Sequence, residues 1–374
     1  MITLDHIFNR YGQQYTDKHS ARIPAVHRKA LRDIMLCRTE ELGGKTWYCH
    51  QCQKYHYHYH SCGNRHCPKC QQHKAGEWME KQRNNLLPAE YFMGTFTLPE
   101  QLRNIVRSHQ RQLFKIFYKA SSQAIFKLAQ DPKHLGGKPG MIGILQTWSR
   151  TLIYHPHIHY IIPGGVLSGN NNQWKSAREG FLLPVKPLSI IFKAKFRDEL
   201  KKTELFEKIP KEVWKANWVV NIISVGTGES ALKYIASYLF RVAVSNKNLI
   251  SCDDGKVSFY YKDSETEQKR VMTLPALEFM RRFLQHVLPR GFQKVRYYGF
   301  LNHKQKQGLN VIKYLLGVVP VKQEPAEKKG ATELCPECGN QMVLLISTRR
   351  KRGPPLEVLF MRNKTKPINQ LVFN

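Results

Sequence analysis

Acidic residues are scarce in this sequence of 374 residues. Asp and Glu number 28 against 59 Lys and Arg, so the formal net charge at pH 7 is +31. An excess of this size on a folded chain favours a polyanionic partner. Nucleic acid is the first candidate. An anionic membrane surface ranks second, because no strongly amphipathic basic helix with bulky apolar anchors stands out.

Long apolar runs are missing as well. No run of about 18 apolar residues occurs, which excludes a transmembrane helix. The start, Met1–His6, lacks the cationic and apolar regions of a signal peptide. We therefore expect a soluble, intracellular protein. A hydrophobic share of 42% is enough for a core and excludes general disorder.

Helical and strand patterns interleave along the chain, which predicts an α/β or α+β fold around a sheet. The strand patterns lie at 91–98, 141–145, 152–162 and 218–225, and helical patterns lie at 100–129 and 229–244. We expect three regions: a helical and zinc-binding DNA-binding domain at 1–88, an enzymatic domain at 89–310 and a basic tail at 311–374.

Two cysteine pairs stand close together near the N-terminus. Cys49 and Cys52 form one Cys-x-x-Cys pair, and Cys67 and Cys70 form another. In a reducing compartment such pairs indicate metal ligands rather than disulfides. Two pairs of thiolates make the tetrahedral sulfur site that suits Zn²⁺, and a site with four protein ligands is structural.

Several neighbouring residues are further possible ligands. They could form a second site or replace one member of the first, and they are Cys37, His60, Cys62 and His66. The alternating run 55–60 would also place three histidines on one face of a strand. A solvated or phosphate-contacting histidine face is the alternative.

A third Cys-x-x-Cys pair, Cys335-Pro336-Glu337-Cys338, lies in the tail, and we call it the tail knuckle. Two ligands cannot close a zinc site, and His303 is a possible partner. A vestigial knuckle and a knuckle completed by a partner remain open.

Three alternating histidines begin a strand pattern. His155, His157 and His159 are two residues apart, so in a strand they point to the same face. Imidazoles at this spacing can converge on one metal ion and leave positions open for water and phosphate oxygens. The alternative is a set of hydrogen-bonded or exposed histidines.

A helical pattern carries two tyrosines, Tyr234 and Tyr238, with Arg241 three residues further on. On a helix these three share one face. Paired tyrosines usually pack in a core. Beside a histidine-bound metal on a basic protein, a tyrosine can instead attack a DNA phosphate and form a covalent phosphotyrosine.

These motifs resemble a known family. The His157–His159 segment resembles the HUH motif of enzymes that nick single-stranded DNA, and Tyr234 with Tyr238 resembles their two-tyrosine nucleophile motif. The order of motifs resembles the rolling-circle transposases of the insertion sequence ninety-one (IS91) family. The remaining segments that carry the resemblance are 61–71, 92–98, 163–165 and 286–292.

The resemblance implies an α+β HUH endonuclease domain with a central antiparallel sheet flanked by helices, beside a small N-terminal zinc-binding domain. It also implies Mg²⁺ or Mn²⁺ at the histidines and nicking and joining of single-stranded or hairpin-flanked element ends through a 5′-phosphotyrosine. HUH enzymes commonly use a third metal ligand. His155 is the favoured candidate, because it shares the strand face, and Gln146 is the alternative.

Two other functions remain open: a rolling-circle replication initiator and a non-catalytic zinc-finger regulator. Both share the DNA partner. The basic residues near the motifs that we expect to contact DNA are Lys233, Arg241, Arg65 and Lys69.

Overall fold

The computed structural model describes residues 2–19, 22–82, 86–168, 173–263, 265–318 and 333–365. These residues divide into two compact units. The first comprises described residues within Met1–His73, Val242–Val287 and Lys322–Asn374. The second comprises those within Lys74–Arg241 and Leu288–Val321.

Helices and strands interleave as the sequence predicts. The α-helices are α1 (Leu4–His19), α2 (Ala25–Met35), α3 (Pro68–Gln82), α4 (Arg103–Ser108), α5 (Gln110–Ala129), α6 (Val185–Leu200), α7 (Glu212–Lys215), α8 (Gly228–Leu239), α9 (Ala276–Leu284), α10 (Lys306–Leu315) and α11 (Leu356–Thr365). The strands are β1 (Gly44–Cys49), β2 (Lys54–Tyr59), β3 (Glu90–Thr97), β4 (Met141–Trp148), β5 (Tyr154–Pro163), β6 (Gly165–Leu167), β7 (Trp174–Ser176), β8 (Val219–Thr227), β9 (Leu249–Asp253), β10 (Lys256–Lys262), β11 (Lys269–Pro275), β12 (Val295–Tyr298) and β13 (Val343–Ser347).

The second unit is built on an antiparallel sheet of five strands in the order β12-β4-β5-β3-β8. Alternate residues of β3 and β5 point to one side, where Phe96, Ile158 and Tyr160 are fully buried in a core with the aromatic residues of α5 and α6. This core fixes the register of the central strands, because a slip by one residue would turn apolar side chains outward.

The other side of the same sheet carries a smaller apolar cluster. Met93, Ile144 and Ile161 are buried there together with Ala231 and Leu239 of α8. Helix α8 carries Tyr234 and Tyr238, and we call it the tyrosine helix. It packs on the sheet face that also carries the histidines, because His157 and His159 alternate with the core residues of β5.

The first unit combines helices with two three-stranded sheets, ordered β13-β1-β2 and β11-β10-β9. Helix α9 begins after Pro275 and buries Phe279, Met280 and Phe283 at helical spacing. Phe283 meets Phe8 of α1 edge to face, with ring centroids 5.5 Å apart. Residues distant in sequence thus share one core.

The fold class is confirmed: the protein is α+β, with a central antiparallel sheet flanked by helices and a cysteine cluster in its N-terminal part. Other details differ from expectation. The predicted helix at 100–129 is interrupted at His109, and the tyrosine helix ends at Leu239 rather than near Val244.

The predicted domain boundaries also differ from the observed division. Residues 242–287 were expected in the enzymatic domain and 322–374 in a separate tail, whereas the described residues of both ranges belong to the first unit. Strand β13 pairs with β1, and α1 packs on α9, which explains why these segments join the N-terminal residues. Among the described residues, no helix is long and apolar enough to cross a membrane.

Candidate active site and metal centres

The histidine motif lies on β5, in the middle of the five-stranded sheet. His157 is opposite Gln146 of β4 and Thr97 of β3, and His159 is opposite Thr95 of β3. Directly paired residues share a face. Polar side chains of β3, β4 and β5 therefore lie together on one face at the centre of the sheet.

Hydrogen bonds orient both imidazoles of the HUH segment. Nδ1 of His157 lies 2.7 Å from the carbonyl oxygen of His155, so Nδ1 carries the proton and Nε2 has the lone pair. Nδ1 of His159 contacts the hydroxyl of Thr95 at 3.0 Å. The two rings are 4.8 Å apart and nearly perpendicular. Such contacts to the second ring nitrogen are how proteins orient metal-binding histidines.

Both imidazoles are in the form that binds metals. Burial lowers the pKa of His157 to about 4. Burial first, and then His157 and the cations Arg241 and Lys294, hold the pKa of His159 well below its ordinary value. The two rings are consequently neutral near pH 7.

The surroundings of His155 differ from those of His157 and His159. Its Nδ1 lies 3.3 Å from a guanidinium nitrogen of Arg103, which also forms an ion pair with Glu100. Burial and the charge of Arg103 both lower the pKa of His155. Strand alternation placed His155 on the correct face, but a cation from α4 engages it, and a guanidinium disfavours a metal ion beside it.

Gln146, the alternative third ligand, lies on the neighbouring strand β4. Its side chain is 2% exposed and stands directly opposite His157. Its Nε2 lies 3.3 Å from the backbone carbonyl of Tyr238. The amide nitrogen is thereby engaged as a donor, and the carboxamide oxygen is the atom able to bind a metal ion.

The two tyrosines of α8 contact each other and the histidines. The hydroxyl of Tyr234 donates to that of Tyr238 over 3.3 Å, and the rings are 5.0 Å apart. The ring of Tyr238 lies 4.6 Å from that of His159. Burial and the neighbouring Tyr238 raise the pKa of Tyr234. The structure thus brings the two tyrosines of α8 beside the histidines of β5.

Two cations lie at the C-terminal end of α8. The guanidinium of Arg241 is 5.7 Å from the ring centre of Tyr238. The ammonium of Lys294 donates to the carbonyl oxygens of Leu239 at 3.3 Å and Arg241 at 3.0 Å. Lys294 and Thr95 were not predicted from the sequence. Lys294 belongs to no motif, and the strand motif 92–98, which includes Thr95, does not mark that residue as functional. Strand pairing places Thr95 opposite His159.

The cysteines form two clusters, and the predicted set of Cys49, Cys52, Cys67 and Cys70 is wrong. Cys67 and Cys70 lie with two of the proposed extra ligands, Cys37 and Cys62; all four are buried. Sγ of Cys70 is 3.6 Å from that of Cys37 and 3.5 Å from that of Cys62. A tetrahedral zinc with bonds of about 2.3 Å spaces its sulfur ligands about 3.8 Å apart, so this cluster fits zinc.

Local structure brings these four thiols together. Cys37 follows the end of α2, while Cys70 lies in the first turn of α3. Between them the backbone N–H of Cys62 and that of Asn64 point at thiols, at 3.5 Å and 3.4 Å. Hydrogen bonds from Cys37, Cys62 and Cys67 lower the pKa of Cys70, so one member readily becomes a thiolate.

The other pair has a distant partner. Cys49 and Cys52 lie with Cys335 and Cys338, and the ligand atoms of this group all lie within 4.8 Å of one another. The tail knuckle therefore has the second pair of thiols that a zinc site with four sulfur ligands needs. Its predicted partner His303 lies beside Tyr297 instead, with the two rings tilted and their centroids 5.0 Å apart.

Comparisons with known proteins agree with these features. A family model described as "Transposase zinc-binding domain" matches residues 7–98, and one described as "Putative transposase" matches residues 140–308. A protein of Sinorhizobium fredii named "Putative transposase y4qJ" is 36% identical over 93% of this chain and 96% of its own length. The chain belongs to the IS91 family of transposases.

A second relative of this transposase is the transposase for insertion sequence element IS801 of Pseudomonas savastanoi pv. phaseolicola. It is 24% identical over 72% of the chain and 69% of the relative. No solved structure matches the chain. Transposases act on DNA, which agrees with the large positive charge.

The predicted DNA-contacting residues of the transposase differ in how far their charge is compensated. Lys69 forms an ion pair with Asp5 at 3.0 Å, so its charge is neutralised within the chain. Arg65 is half-buried, and burial lowers its pKa. Lys233 and Arg241 are exposed.

The remaining predicted zinc ligands, His60 and His66, lie outside the two cysteine clusters. Nε2 of His60 contacts the carbonyl oxygen of Thr348 at 2.6 Å, which holds the C-terminal segment against β2. Structural zinc in the cysteine clusters is supported by the donor set and by the matching zinc-binding domain of the transposase family.

Proposed function

We propose that this transposase nicks and joins single-stranded DNA at element ends through a covalent 5′-phosphotyrosine, as rolling-circle transposition requires. The observation that carries the proposal is the packing of Tyr238 on His159, at 4.6 Å between ring centres, beside a second tyrosine hydroxyl. A nucleophile next to an open, imidazole-lined metal site is the arrangement that phosphoryl transfer needs.

The residues that would hold the catalytic cation are His157, His159 and Gln146. When bound, Mg²⁺ or Mn²⁺ would polarise the scissile phosphate and neutralise charge that develops on it. Imidazole ligands suit Mn²⁺ better than Mg²⁺. The three donors carry no charge, so a phosphate oxygen of the DNA has to supply the negative charge that strengthens binding of a dication.

Tyr238 is the side chain that we expect to attack first. Its hydroxyl accepts a hydrogen bond from Tyr234, its ring lies 4.6 Å from that of His159, and the guanidinium of Arg241 lies 5.7 Å from the centre of the same ring. The phenolic oxygen bonds to phosphorus and gives up its proton. The bond from phosphorus to the 3′ oxygen breaks, and that oxygen takes up a proton to become a 3′-hydroxyl.

Two tyrosines allow two transesterifications in sequence. While one tyrosine holds the 5′ end of the first strand, the other can attack a second phosphate, and a free 3′-hydroxyl can then attack the phosphotyrosine. Each step exchanges one phosphate ester for another, so joining needs no ATP. Such a protein would work at the nucleoid, in the cytoplasm.

The test uses the full-length protein and labelled single-stranded oligonucleotides that tile both strands of the DNA flanking its coding sequence. With Mn²⁺ present, one strand of an element end should give a protein–DNA adduct that resists heat and detergent. The same sequence as a relaxed linear duplex should give little adduct.

Two outcomes would contradict the proposal. Efficient double-strand cleavage of the relaxed duplex would indicate another nuclease mechanism. Tight, salt-sensitive DNA binding without any adduct on any strand would favour the non-catalytic regulator.

A further inference from the structure

The second cysteine cluster is assembled from opposite ends of the chain. Sγ of Cys49 lies 3.5 Å from Sγ of Cys338, across 289 positions of sequence. Sγ of Cys52 lies 3.9 Å from Sγ of Cys335. Both distances are close to the spacing of about 3.8 Å that a tetrahedral zinc site imposes on its sulfur ligands, and far from the ~2.05 Å of a disulfide.

Each half of this cluster has the local structure of a metal-binding knuckle. The N–H of Cys52 points at Sγ of Cys49 over 3.5 Å. In the other half, the N–H of Gly339 donates to the carbonyl oxygen of Cys335 at 2.8 Å. Gly339 has a φ of +73°, which favours glycine. A ring nitrogen of His56 lies 3.5 Å from Sγ of Cys335, a contact typical of the residues around a ligating thiolate.

The two halves are held together by more than sulfur. Strand β13 pairs antiparallel with β1, which places Val343 opposite Tyr48 and Ser347 opposite Lys45. Trp47 and Met342 are buried around the cluster. The thiols are therefore presented by a three-stranded sheet, rather than by a flexible tail.

Ion pairs and backbone hydrogen bonds extend the contact on either side. Lys54 forms an ion pair with Glu337 at 2.6 Å, and Nδ1 of His58 lies 2.9 Å from a carboxylate oxygen of Glu333. Beyond β13, Thr348 bonds to Gly44 through both its backbone and its hydroxyl, and Arg350 donates to the carbonyl oxygen of Cys62. The hydrogen bond from Arg350 connects the C-terminal segment to the backbone of Cys62, a member of the first cluster.

We propose that Cys49, Cys52, Cys335 and Cys338 hold a second structural zinc ion, which fastens the segment 333–352 to the N-terminal zinc-binding module. The four thiolates complete the coordination shell, so this ion has no open position for chemistry. The matched family regions end at residues 98 and 308, and neither includes the tail knuckle. The zinc-binding module of this chain thus includes a C-terminal part.

The proposal is tested by the zinc content of the purified full-length protein. We expect two zinc ions per chain by elemental analysis. The double variant Cys335→Ser with Cys338→Ser should retain one. Cys252→Ser is the matched control, because Cys252 is a buried thiol outside both clusters, and it should retain two. One zinc in the unmodified protein, or two in the double variant, would overturn the proposal.

A second measurement covers the case in which the double variant fails to fold. The unmodified protein grown with cobalt should show the absorption of tetrahedral thiolate-bound Co²⁺, with an intensity equal to two such sites per chain. An intensity equal to one site would contradict the proposal. Neither measurement depends on DNA cleavage, so failure here is distinguishable from failure of the proposed nicking reaction.

Discussion

The cysteine clusters and the histidine–tyrosine face show two opposite ways to use metal-binding residues. Each cluster brings four thiols within 4.8 Å, so the protein fills every position of a tetrahedral ion. On the sheet face of the other unit, two neutral imidazoles and one amide stand beside two hydroxyl groups. Closed sites hold a fold together, whereas sites with open positions can bind substrate.

The two clusters differ from each other as well. All four thiols of the Cys37 cluster are buried, while in the second cluster Cys338 is exposed and Cys52 is partly exposed. The first is built within one short stretch of chain and the second depends on β13. We therefore expect the second site to exchange its metal more readily than the first.

The largest difference between the histidine–tyrosine face and the cysteine clusters should appear when the tyrosines are changed. Changing Tyr234 and Tyr238 to Phe together should abolish the covalent adduct, because no hydroxyl remains to attack the phosphate. Zinc content and salt-sensitive DNA binding should be unchanged. Tyr238→Phe alone should cost more adduct than Tyr234→Phe in a gel assay. An adduct at normal rate in the double variant would refute the assignment.

The next effect concerns the ligands of the catalytic cation. His157→Ala and His159→Ala should each lower Mn²⁺-dependent cleavage by about 100-fold or more, since one ligand and its orientation are lost. Gln146→Ala should come close to this loss, and His155→Ala should lower cleavage much less. Initial rates across a Mn²⁺ titration provide the measurement. If His155→Ala costs more than Gln146→Ala, the third ligand has been assigned to the wrong residue.

Chelation should distinguish the cation site at the histidines from the cysteine clusters, because the two bind different metals. Brief treatment with EDTA should stop cleavage while zinc remains bound, because the histidine site has neutral donors and the clusters have thiolates. A thiol-reactive reagent should release zinc in two phases, the faster one from the cluster that includes Cys338. Added Mn²⁺ should restore cleavage after EDTA. Cleavage that persists after exhaustive removal of Mn²⁺ and Mg²⁺ would oppose a metal-dependent site.

The smallest effect lies in the packing of the first unit. Glu278 forms ion pairs with Arg281 at 2.6 Å and Arg282 at 2.7 Å, and mainly Arg281 lowers its pKa to about 2. A lowered pKa means that the stabilisation is complete above about pH 4.5 and is lost as the pH falls toward 2. Because the side chain is about one-third exposed, Glu278→Gln should cost only about 1 kcal/mol.

Urea unfolding between pH 5.5 and 8 should show that difference unchanged throughout the range. Glu267→Gln is the matched control, since its ion pair with Lys262 is exposed, and it should have little effect. A Glu278→Gln effect that disappears already near pH 6 would contradict the lowered pKa. Adduct formation should be the same in both variants.

Local patterns predicted much of the catalytic face. Alternation placed His157 and His159 on one side of a strand, and the spacing of Tyr234 and Tyr238 placed them on one side of a helix. That the two sides meet follows from the apolar residues around them, which bury Ile161 and Leu239 on the same sheet face. Arg103 beside His155 could not be predicted, because nothing in the strand pattern says which helix approaches its edge.

The cysteine pairing lay beyond sequence reasoning for a different reason. The Cys-x-x-Cys spacing identifies a pair of zinc ligands, but any two such pairs can complete a tetrahedral zinc site. The choice is made by the pairing of β13 with β1, a contact between opposite ends of the chain. The division into two units differs from the expected boundaries for a related reason, since the described residues of 242–287 belong to the unit that contains the N-terminal helices.

The central claim, that a tyrosine of α8 becomes joined to DNA, has one direct test. Trypsin should cut after Lys233 and after Arg241, so both tyrosines fall in a single peptide, residues 234–241. After nuclease and trypsin treatment of the adduct formed with Mn²⁺, mass spectrometry should find a nucleotide on this peptide, first on Tyr238. A nucleotide attached to any other peptide would contradict the account.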